Sequence, residues 1–289
     1  MKDISYNQAR VVAEIGCNHK GDLDISKDLI TLAAQAGATY AKFQKRNNKA
    51  LLDQAAYQQP HPVPYNSYGD TYGAHREFLE MDLKQHTQLK SHCESVGIAY
   101  ATSVWDLISA KEIISLNPDY IKIPSACNNN SELLSFLASN YKGDIHISLG
   151  MTKTAEEQEI MRLLSPITER VVLYACTSGY PVAFQDACLL EISRLRELYG
   201  QQVKSIGYSG HHLGIAIDIA AYTLGAEWLE RHFTKDRTWK GTDHAASLEP
   251  GGLGKLVRNL NATHQSLAYK SKEILAIEEA QRKKLKFKA

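Results

Sequence analysis

Hydrophobic positions along the chain fall into short β-rich runs, and each run is followed by a segment with the apolar spacing of a helix. The run "RVVAEIGC" at 10–17, for example, precedes "DISKDLITLAAQAGA", and "SIGYSG" at 205–210 precedes "GIAIDIAAYTLGA". The runs cover residues 10–17, 40–45, 98–105, 120–126, 144–150, 170–176, 205–210 and 227–233. Strands that alternate with helices pair in parallel through helical crossovers. Eight such units predict an α/β protein with a (β/α)8 barrel, the TIM barrel, and the alternative is an open doubly wound sheet.

One connection between these units is much longer than the others. Residues 46–83 follow the second run and are rich in Tyr, Pro and Asn. A connection of this length inside a compact domain usually covers a functional site. We therefore predict one barrel domain over residues 1–289, with a long insertion at 46–83.

Composition and charge narrow the class of protein. The 289 residues are 44% hydrophobic, which is enough for a sizeable core. The net charge is +1, which favours neither a nucleic acid nor a membrane surface as a partner. The five cysteines form no Cys-x-x-Cys pair, and the chain has neither an apolar leader nor a run of 18 apolar residues. These features are typical of a cytoplasmic protein with reduced thiols.

Polar residues recur near the carboxyl end of almost every predicted strand, where the active site of a TIM barrel lies. They are Glu14, Asn18, His19, Lys42, Gln44, Thr102, Ser103, Lys122, Ser125, Ser148, Ser178, Tyr180, Ser209, His211, Glu230, His232 and, in the last loop, Asp243. Two lysines with several hydroxyls suit a compact dianion such as phosphate. Two histidines with an Asp and a Glu suit a divalent metal ion.

Two adjacent histidines, His211 and His212, follow the seventh run. Successive residues of a strand point to opposite faces of the sheet. Ser209 and His211 therefore share one face, and His212 takes the other. If Ser209 faces the anion, His211 is the candidate metal ligand and His212 lies outside the site.

The motifs at these positions resemble those of the sialic acid synthase family, the N-acetylneuraminate synthases and their legionaminate and pseudaminate relatives. The matching stretches, in the family's order, are "AEIGCNHKGDLDISKDLI", "AKFQK", "ATSVWD", "KIPSA", "ISLGMT", "CTSGYP", "GYSGHHLGI" and "ERHFTKDRTWKGTDHAASLEP". The resemblance implies a barrel enzyme, a transferase that joins phosphoenolpyruvate (PEP) to a sugar aldehyde. The products would be a 3-deoxy-2-ulosonic acid and phosphate. It also implies a homo-oligomer, as a dimer.

The resemblance also implies roles for individual residues. A divalent ion, Mn2+ or Mg2+, would be held by His211 and His232. The implied catalytic residues are Glu14, Lys42, His211, His232 and Asp243. The implied PEP-binding residues are Lys42, Thr102, Lys122, Ser125, Ser148, Ser178 and Ser209. The implied sugar-binding residues are Asn18, Gln44, Tyr180 and Asp243.

The sequence departs from the family's pattern at three points. It ends without the family's C-terminal antifreeze-like domain, Cys127 stands where a sugar-binding carboxylate is common, and Gly210 replaces an acidic residue beside His211. We therefore expect N-acetylmannosamine to be a poor acceptor, with new sugar contacts coming from the insertion. The candidates there are His61, Tyr65, His75 and Arg76. The alternatives are a related ulosonate synthase that uses a different, even phosphorylated, aldose, and a non-catalytic paralogue that acts as a binding subunit.

Overall fold

The computed structural model describes residues 6–287, and its centre is a closed barrel of eight parallel strands that neighbour one another in chain order. The strands are β1 (Arg10–Gly16), β2 (Tyr40–Lys45), β3 (Ala99–Val104), β4 (Tyr120–Ile123), β5 (Asp144–Ser148), β6 (Val171–Cys176), β7 (Ser205–Gly210) and β8 (Trp228–His232). Pairing of β1 with β8 closes the sheet. The prediction of a single-domain (β/α)8 barrel is confirmed, and the open sheet is excluded.

Helices surround the barrel, and most of the longer ones pack on it through their apolar faces. They are α1 (Leu23–Gln35), α2 (Asn48–Leu51), α3 (Gln54–Gln58), α4 (Tyr72–Phe78), α5 (Leu83–Val96), α6 (Leu107–Ile114), α7 (Ser131–Asn140), α8 (Thr154–Leu164), α9 (Leu190–Tyr199), α10 (Ala216–Thr223), α11 (Pro250–Ser266) and α12 (Ala276–Leu285). The insertion is not a bare loop, because α2, α3 and α4 lie within it. Within residues 6–287, none of these helices combines the length and the apolar character needed to cross a bilayer.

The residues at the ends of α5 and β4 explain where these two elements begin or stop. Asp82 caps α5 by accepting a hydrogen bond from the backbone N–H of Gln85, and Gly97 ends that helix in the left-handed region at φ 77°. The fourth predicted strand runs to residue 126, but β4 ends at Ile123. Pro124 has no N–H for the ladder, and Ser125–Cys127 form a short 3-10 turn instead. This turn, rather than a strand, carries Ser125 to the mouth of the barrel.

Aromatic side chains fill the amino-terminal half of the barrel interior. The Tyr120 ring stacks on the His146 ring with 3.8 Å between centroids, and the Trp228 ring meets His146 edge-on at 4.5 Å. Tyr174 hydrogen-bonds the Nδ1 atom of His146 at 2.9 Å. This packed floor leaves open space inside the barrel only at the carboxyl ends of the strands.

Candidate active site

A polar cavity of about 260 Å3 opens above the aromatic floor. Because strand residues alternate between the two faces, each strand sends every second side chain into this space. The lining residues are Glu14, Lys42, Gln44, Ser103, Trp105, Lys122, Pro124, Ser125, Ala126, Ser148, Met151, Cys176, Ser178, Tyr180, Ser209, His211, Glu230 and His232.

Two buried lysines and two buried carboxylates form the base of the cavity. The Nζ atom of Lys42 lies 2.5 Å from Glu14 Oε2 and donates to Ser103 Oγ at 2.8 Å. The Nζ atom of Lys122 lies 2.7 Å from Glu230 Oε1, and Lys42 is 3.6 Å from the same oxygen. Each charge has an opposite partner, as buried charges require. The base therefore holds two cations whose charges are balanced by two carboxylates.

The protonation of this group follows from its pairing. Burial disfavours a charged Lys42, but Glu14 and Glu230 outweigh burial and raise its pKa. Burial lowers the pKa of Lys122 despite the attraction of Glu230. Burial would raise the pKa of Glu230, but the two lysines lower it to about 2. Glu230 is thus ionised at neutral pH and keeps both ammonium groups in place.

His211 and His232 face each other across the upper part of the cavity, with 5.5 Å between ring centroids. His211 Nδ1 lies 2.9 Å from the Thr177 carbonyl, so Nδ1 carries the proton and Nε2 keeps its lone pair. Burial, reinforced by His232, lowers the pKa of His211 to about 3, which keeps the ring neutral. Tyr180 packs on His211 at 4.2 Å, and Asp243 lies 3.8 Å from His232 Nδ1.

His212 lies on the opposite face of the same strand end, as the alternation predicts. It is fully buried, and its Nε2 atom accepts a hydrogen bond from Arg231 at 2.9 Å. The same guanidinium group lies 2.5 Å from Asp218 Oδ2 and also donates to the His212 carbonyl. His212 therefore belongs to a buried network behind the barrel wall.

The structure brings most of the predicted site residues together. Those that line the cavity are Glu14, Lys42, Gln44, Lys122, Ser125, Ser148, Ser178, Tyr180, Ser209, His211 and His232. Asp243 lines a neighbouring cavity, described below.

Two predicted site residues lie elsewhere. Thr102 is fully buried and does not line the cavity, because the inward positions of β3 are Ala101 and Ser103. Asn18 is buried between two loops, where its amide donates to the Phe233 carbonyl and to Ser247 Oγ, both at 2.9 Å. Asn18 therefore ties the loop after β1 to the loop after β8.

Sequence reasoning noted Ser103 and Glu230 but gave neither a role. Ser103 is the hydroxyl partner of Lys42, and Glu230 bridges both lysines. A usable signal existed for Glu230, since it lies two residues before His232 and shares its face. For Ser103 the signal was weaker, because Thr102 and Ser103 are neighbours and only one can face inward.

Two positions at which the sequence departs from the family's pattern, Cys127 and Gly210, do not line the cavity. The Cys127 thiol is buried, 3.7 Å from the carbonyls of Val104 and Pro124, and does not line the cavity. A Cβ atom on Gly210 would lie 2.8 Å from a ring carbon of Tyr208 and 2.9 Å from one of His212. That position points away from His211 and His232, so a side chain there would not enter the cavity directly.

The insertion forms one wall of a second cavity of about 210 Å3, which we call the annex. The annex shares Gln44, Trp105, Tyr180 and His232 with the first cavity, so the two are continuous. Its other lining residues are Cys17, Arg46, His61, Tyr72, His75, Arg76, Leu79, Thr242 and Asp243. Three of the four insertion residues named as candidate contacts are thus present, and Tyr65 is instead 75% exposed on the surface.

Comparison with known proteins identifies the family. Residues 29–272 match the NeuB family model. Over 275 residues the chain is 38% identical to N-acetylneuraminate-9-phosphate synthase of Homo sapiens, covering 95% of this chain and 76% of that protein. It is 33% identical to N,N'-diacetyllegionaminic acid synthase of Campylobacter jejuni, covering 89% and 77%. The crystal structure of an N-acetylneuraminic acid synthetase from Leptospira borgpetersenii superposes with a TM-score of 0.81 at 28% identity, covering 98% and 94%. The chain therefore belongs to the NeuB family and is an enzyme related to synthases of sialic-acid-type sugars.

Proposed function

We propose that the enzyme condenses PEP with the aldehyde of a sugar, giving a 3-deoxy-2-ulosonic acid and phosphate. The observation that carries this proposal is the shared cavity, in which two buried lysines lie below two facing histidines. Two ammonium groups that lie among several hydroxyls suit the oxygens of an anionic substrate, and a pair of facing imidazoles above them suits a metal ion beside an aldehyde oxygen. The names of the relatives support the same class of product.

The lower part of the cavity is the proposed PEP site. Lys42 and Lys122 supply charge, and serine hydroxyls complete the anion contacts. Ser125 Oγ accepts a hydrogen bond from the Gly150 N–H at 3.1 Å and donates a long one, 3.8 Å, to Cys176 Sγ, so its proton can turn to a ligand oxygen. A Cβ atom on Gly150 would lie 2.4 Å from Ser178 Oγ and 2.7 Å from Ser125 Oγ. Glycine is therefore needed where these two hydroxyls converge. Ser148 and Ser209 line the same space.

Removing the hydroxyl of Ser103 or of Thr102, one at a time, tests which of these neighbouring β3 residues acts in the cavity. Ser103→Ala removes a partner of the Lys42 ammonium, so we expect the KM for PEP to rise about two- to tenfold, the equivalent of one net hydrogen bond. Thr102→Val keeps the shape of a side chain outside the cavity and should leave that KM unchanged. Steady-state kinetics with PEP varied would show this. A larger effect from Thr102→Val would restore the role that its motif implies.

The reaction needs a carbon–carbon bond, a water molecule and a leaving phosphate. The C3 carbon of PEP attacks the aldehyde carbon, the aldehyde oxygen takes a proton, water adds at C2, and carbon–oxygen cleavage releases phosphate. Glu14 is the proposed residue that orients this water or accepts its proton. Gln44 donates to Glu14 Oε1 at 2.8 Å and Lys42 lies at Oε2, so the carboxylate is fixed in one orientation. Fixed groups of this kind lower the barrier by positioning the reactants.

His211 and His232 are the proposed ligands of Mn2+ or Mg2+. Among residues 6–287 no three His, Cys, Asp or Glu side chains are grouped as a ready metal site. The two imidazoles nevertheless fit an ion that completes its shell with water and substrate oxygen. The Nδ1 atom of His232 is buried without a hydrogen-bond partner, and that of His211 is fixed by a carbonyl, as in many metal-binding histidines. When bound, the ion would supply Lewis acidity toward the aldehyde oxygen.

The upper rim and the annex are the proposed sugar site. Gln44, Tyr180 and Asp243 are the candidate contacts there, and Asn18 acts indirectly through the loops that it joins. Tyr180 is 52% exposed and lies at the mouth, where an entering sugar would meet it. A related synthase with another aldose remains the second candidate, because the PEP half of the cavity would be the same for both. A non-catalytic role is disfavoured by the intact pair of lysines and pair of histidines.

The proposed function is tested by phosphate release from PEP with a panel of aldoses, including N-acetylmannosamine, with and without Mn2+. We expect metal-dependent release with at least one aldose. The product should have the mass of PEP plus aldose plus water minus phosphoric acid. If every aldose gives no release, or if phosphate appears without a product of that mass, the proposed condensation is wrong.

A further inference from the structure

Each proposed metal ligand has a chain neighbour that points out of the barrel, and these two neighbours meet. His212 follows His211, and Arg231 precedes His232. Both neighbours are buried behind the barrel wall, where the Arg231 Nη1 atom donates to His212 Nε2 at 2.9 Å. The proposed ligands and this outer pair therefore lie on opposite faces of the same two strand ends.

The backbone pairing of β7 with β8 stops short of the two proposed ligands. Its last pair in the part of the chain that the structure describes is Gly210 with Arg231. His211 and His232 each lie one residue beyond that pair, and their backbones turn to different neighbours. The His211 carbonyl accepts a hydrogen bond from the Val182 N–H at 3.0 Å, whereas His232 pairs with β1. The ladder alone therefore does not fix the two imidazoles at their centroid separation of 5.5 Å.

The Arg231 side chain continues the connection where the ladder ends. From β8 it reaches the segment that follows β7, where its Nη2 atom donates to the His212 carbonyl at 2.6 Å. Its Nη1 atom donates to the Gly214 carbonyl of the same segment at 2.8 Å. The donors of a planar guanidinium group have fixed relative directions, so the two carbonyls are held in one geometry. Arg231 thus joins the strand that carries His232 to the segment that begins with His211.

Asp218 holds the Arg231 guanidinium group in place. It is buried in the first turn of α10, and its Oδ2 atom lies 2.5 Å from Arg231 Nη1. A buried guanidinium group needs such a counter-charge. Arg231 is therefore anchored to α10 as well as to the segment after β7. Its side-chain hydrogen bonds within the described residues go to these partners and not to the rings of His211 and His232.

We propose that Arg231 is a positioning residue, which sets the separation of His211 and His232 and thereby the affinity of the enzyme for its metal ion. The inference rests on the proposed function for the identity of the two ligands. Because only two protein ligands are assigned, a change in their separation acts directly on metal affinity. Loss of an outer partner that orients metal ligands typically weakens metal binding ten- to hundredfold. The ring of His212 is not needed for this role, since Arg231 donates to its carbonyl.

The test measures Mn2+ affinity by calorimetry on the enzyme without substrates. Arg231→Met should weaken Mn2+ binding about ten- to hundredfold. Arg231→Lys keeps a cation beside Asp218 but lacks the planar fork that reaches both carbonyls, so it should recover only part of the loss. Excess Mn2+ should restore turnover in both variants. The KM for PEP should stay near the wild-type value, since the lysines at the base of the first cavity are unchanged.

Two further variants separate positioning from a general loss of stability. Arg231→Met/Asp218→Asn removes the stranded carboxylate, so it should regain resistance to urea but not Mn2+ affinity. Arg194→Met breaks a different ion pair, the one with Glu157 at 2.7 Å between α9 and α8, and should leave Mn2+ affinity unchanged. The visible spectrum of bound Co2+ depends on the arrangement of its ligands. It should change in Arg231→Met and stay the same in Arg194→Met.

The outcomes distinguish this inference from the function on which it rests. Unchanged Mn2+ affinity in Arg231→Met, or recovery of that affinity together with stability in the double variant, overturns the inference while the proposed metal ligands stand. If the wild type binds no Mn2+, or if His211→Ala and His232→Ala leave binding unchanged, the proposed metal site is wrong and the inference fails with it. Arg231-dependent Mn2+ binding without turnover of any aldose supports the inference and overturns the proposed condensation.

Discussion

A Lys122→Met enzyme is expected to bind PEP about ten- to hundredfold more weakly than the wild type and to retain its affinity for the sugar. Lys122 is buried at the base of the cavity, 2.7 Å from Glu230 Oε1 and 3.5 Å from Ser209 Oγ. Loss of one charge-assisted hydrogen bond costs about 1.5–3 kcal/mol, which corresponds to that change in affinity. Calorimetry with PEP, followed by kinetics with both substrates varied, measures the two effects separately.

The same substitution should also lower the free energy of unfolding, because it leaves the buried Glu230 with Lys42 at 3.6 Å as its remaining cation. Breaking a buried pair in this way costs about 3–5 kcal/mol. The double variant Lys122→Met/Glu230→Gln removes the stranded charge, so it should recover stability in urea unfolding but not PEP affinity. Lys204→Met, at a half-exposed lysine paired with Asp144, is the matched control. If Lys122→Met bound PEP as tightly as the wild type, the proposed anion site would be wrong.

Removal of either proposed metal ligand, His211 or His232, is expected to have the second large effect, on metal binding and on turnover. His211→Ala or His232→Ala should abolish Mn2+ binding in calorimetry and reduce turnover to the level of metal-free enzyme. The reason is that each ring supplies one of two facing imidazoles in the same cavity. Both variants should remain folded, since neither ring has a side-chain hydrogen bond that holds the core.

His212→Ala is the matched control, because it removes a neighbouring histidine from the opposite face of the chain. It should keep one Mn2+ per chain but lose about 1–3 kcal/mol of stability, since the Arg231 guanidinium loses a buried acceptor. If His212→Ala alone abolished Mn2+ binding, the alternation argument for this strand end would be refuted.

The eight strands could be predicted from the sequence because short apolar runs, helical spacing and glycine-marked joints agree along the chain. The inward position of His211 followed from the two-residue period of a strand. The same period explains why Thr102 does not line the cavity. A motif match gave a role to one of two adjacent hydroxyls, and only the register of β3 against β2, with Ser103 beside Gln44, decides which one faces inward.

The annex was predicted only in part, since the sequence pointed to His61, His75 and Arg76 of the insertion but not to Arg46 beside them. Arg46 and Arg76 are distant in the chain, and neither belongs to a local pattern with a fixed period. They meet because α4 folds back over the mouth of the barrel, and Trp105 from the loop after β3 lies against both. The length and composition of the insertion could indicate that it covers a site and contributes Arg76, but not that Arg76 would lie beside Arg46.

The barrel strands supply the base of the first cavity, whereas the insertion supplies one wall of the annex, and this division bears on how the protein can evolve. The groups at the base of the cavity come from strands whose positions the closed sheet fixes, whereas α2, α3 and α4 form a contiguous segment outside that sheet. Mutations, insertions or recombination within this segment can therefore remodel the acceptor end without disturbing the strands that carry the lysines. A lineage can in this way change the proposed acceptor while keeping the proposed PEP site, because the insertion and the strands that carry the lysines occupy separate stretches of the gene.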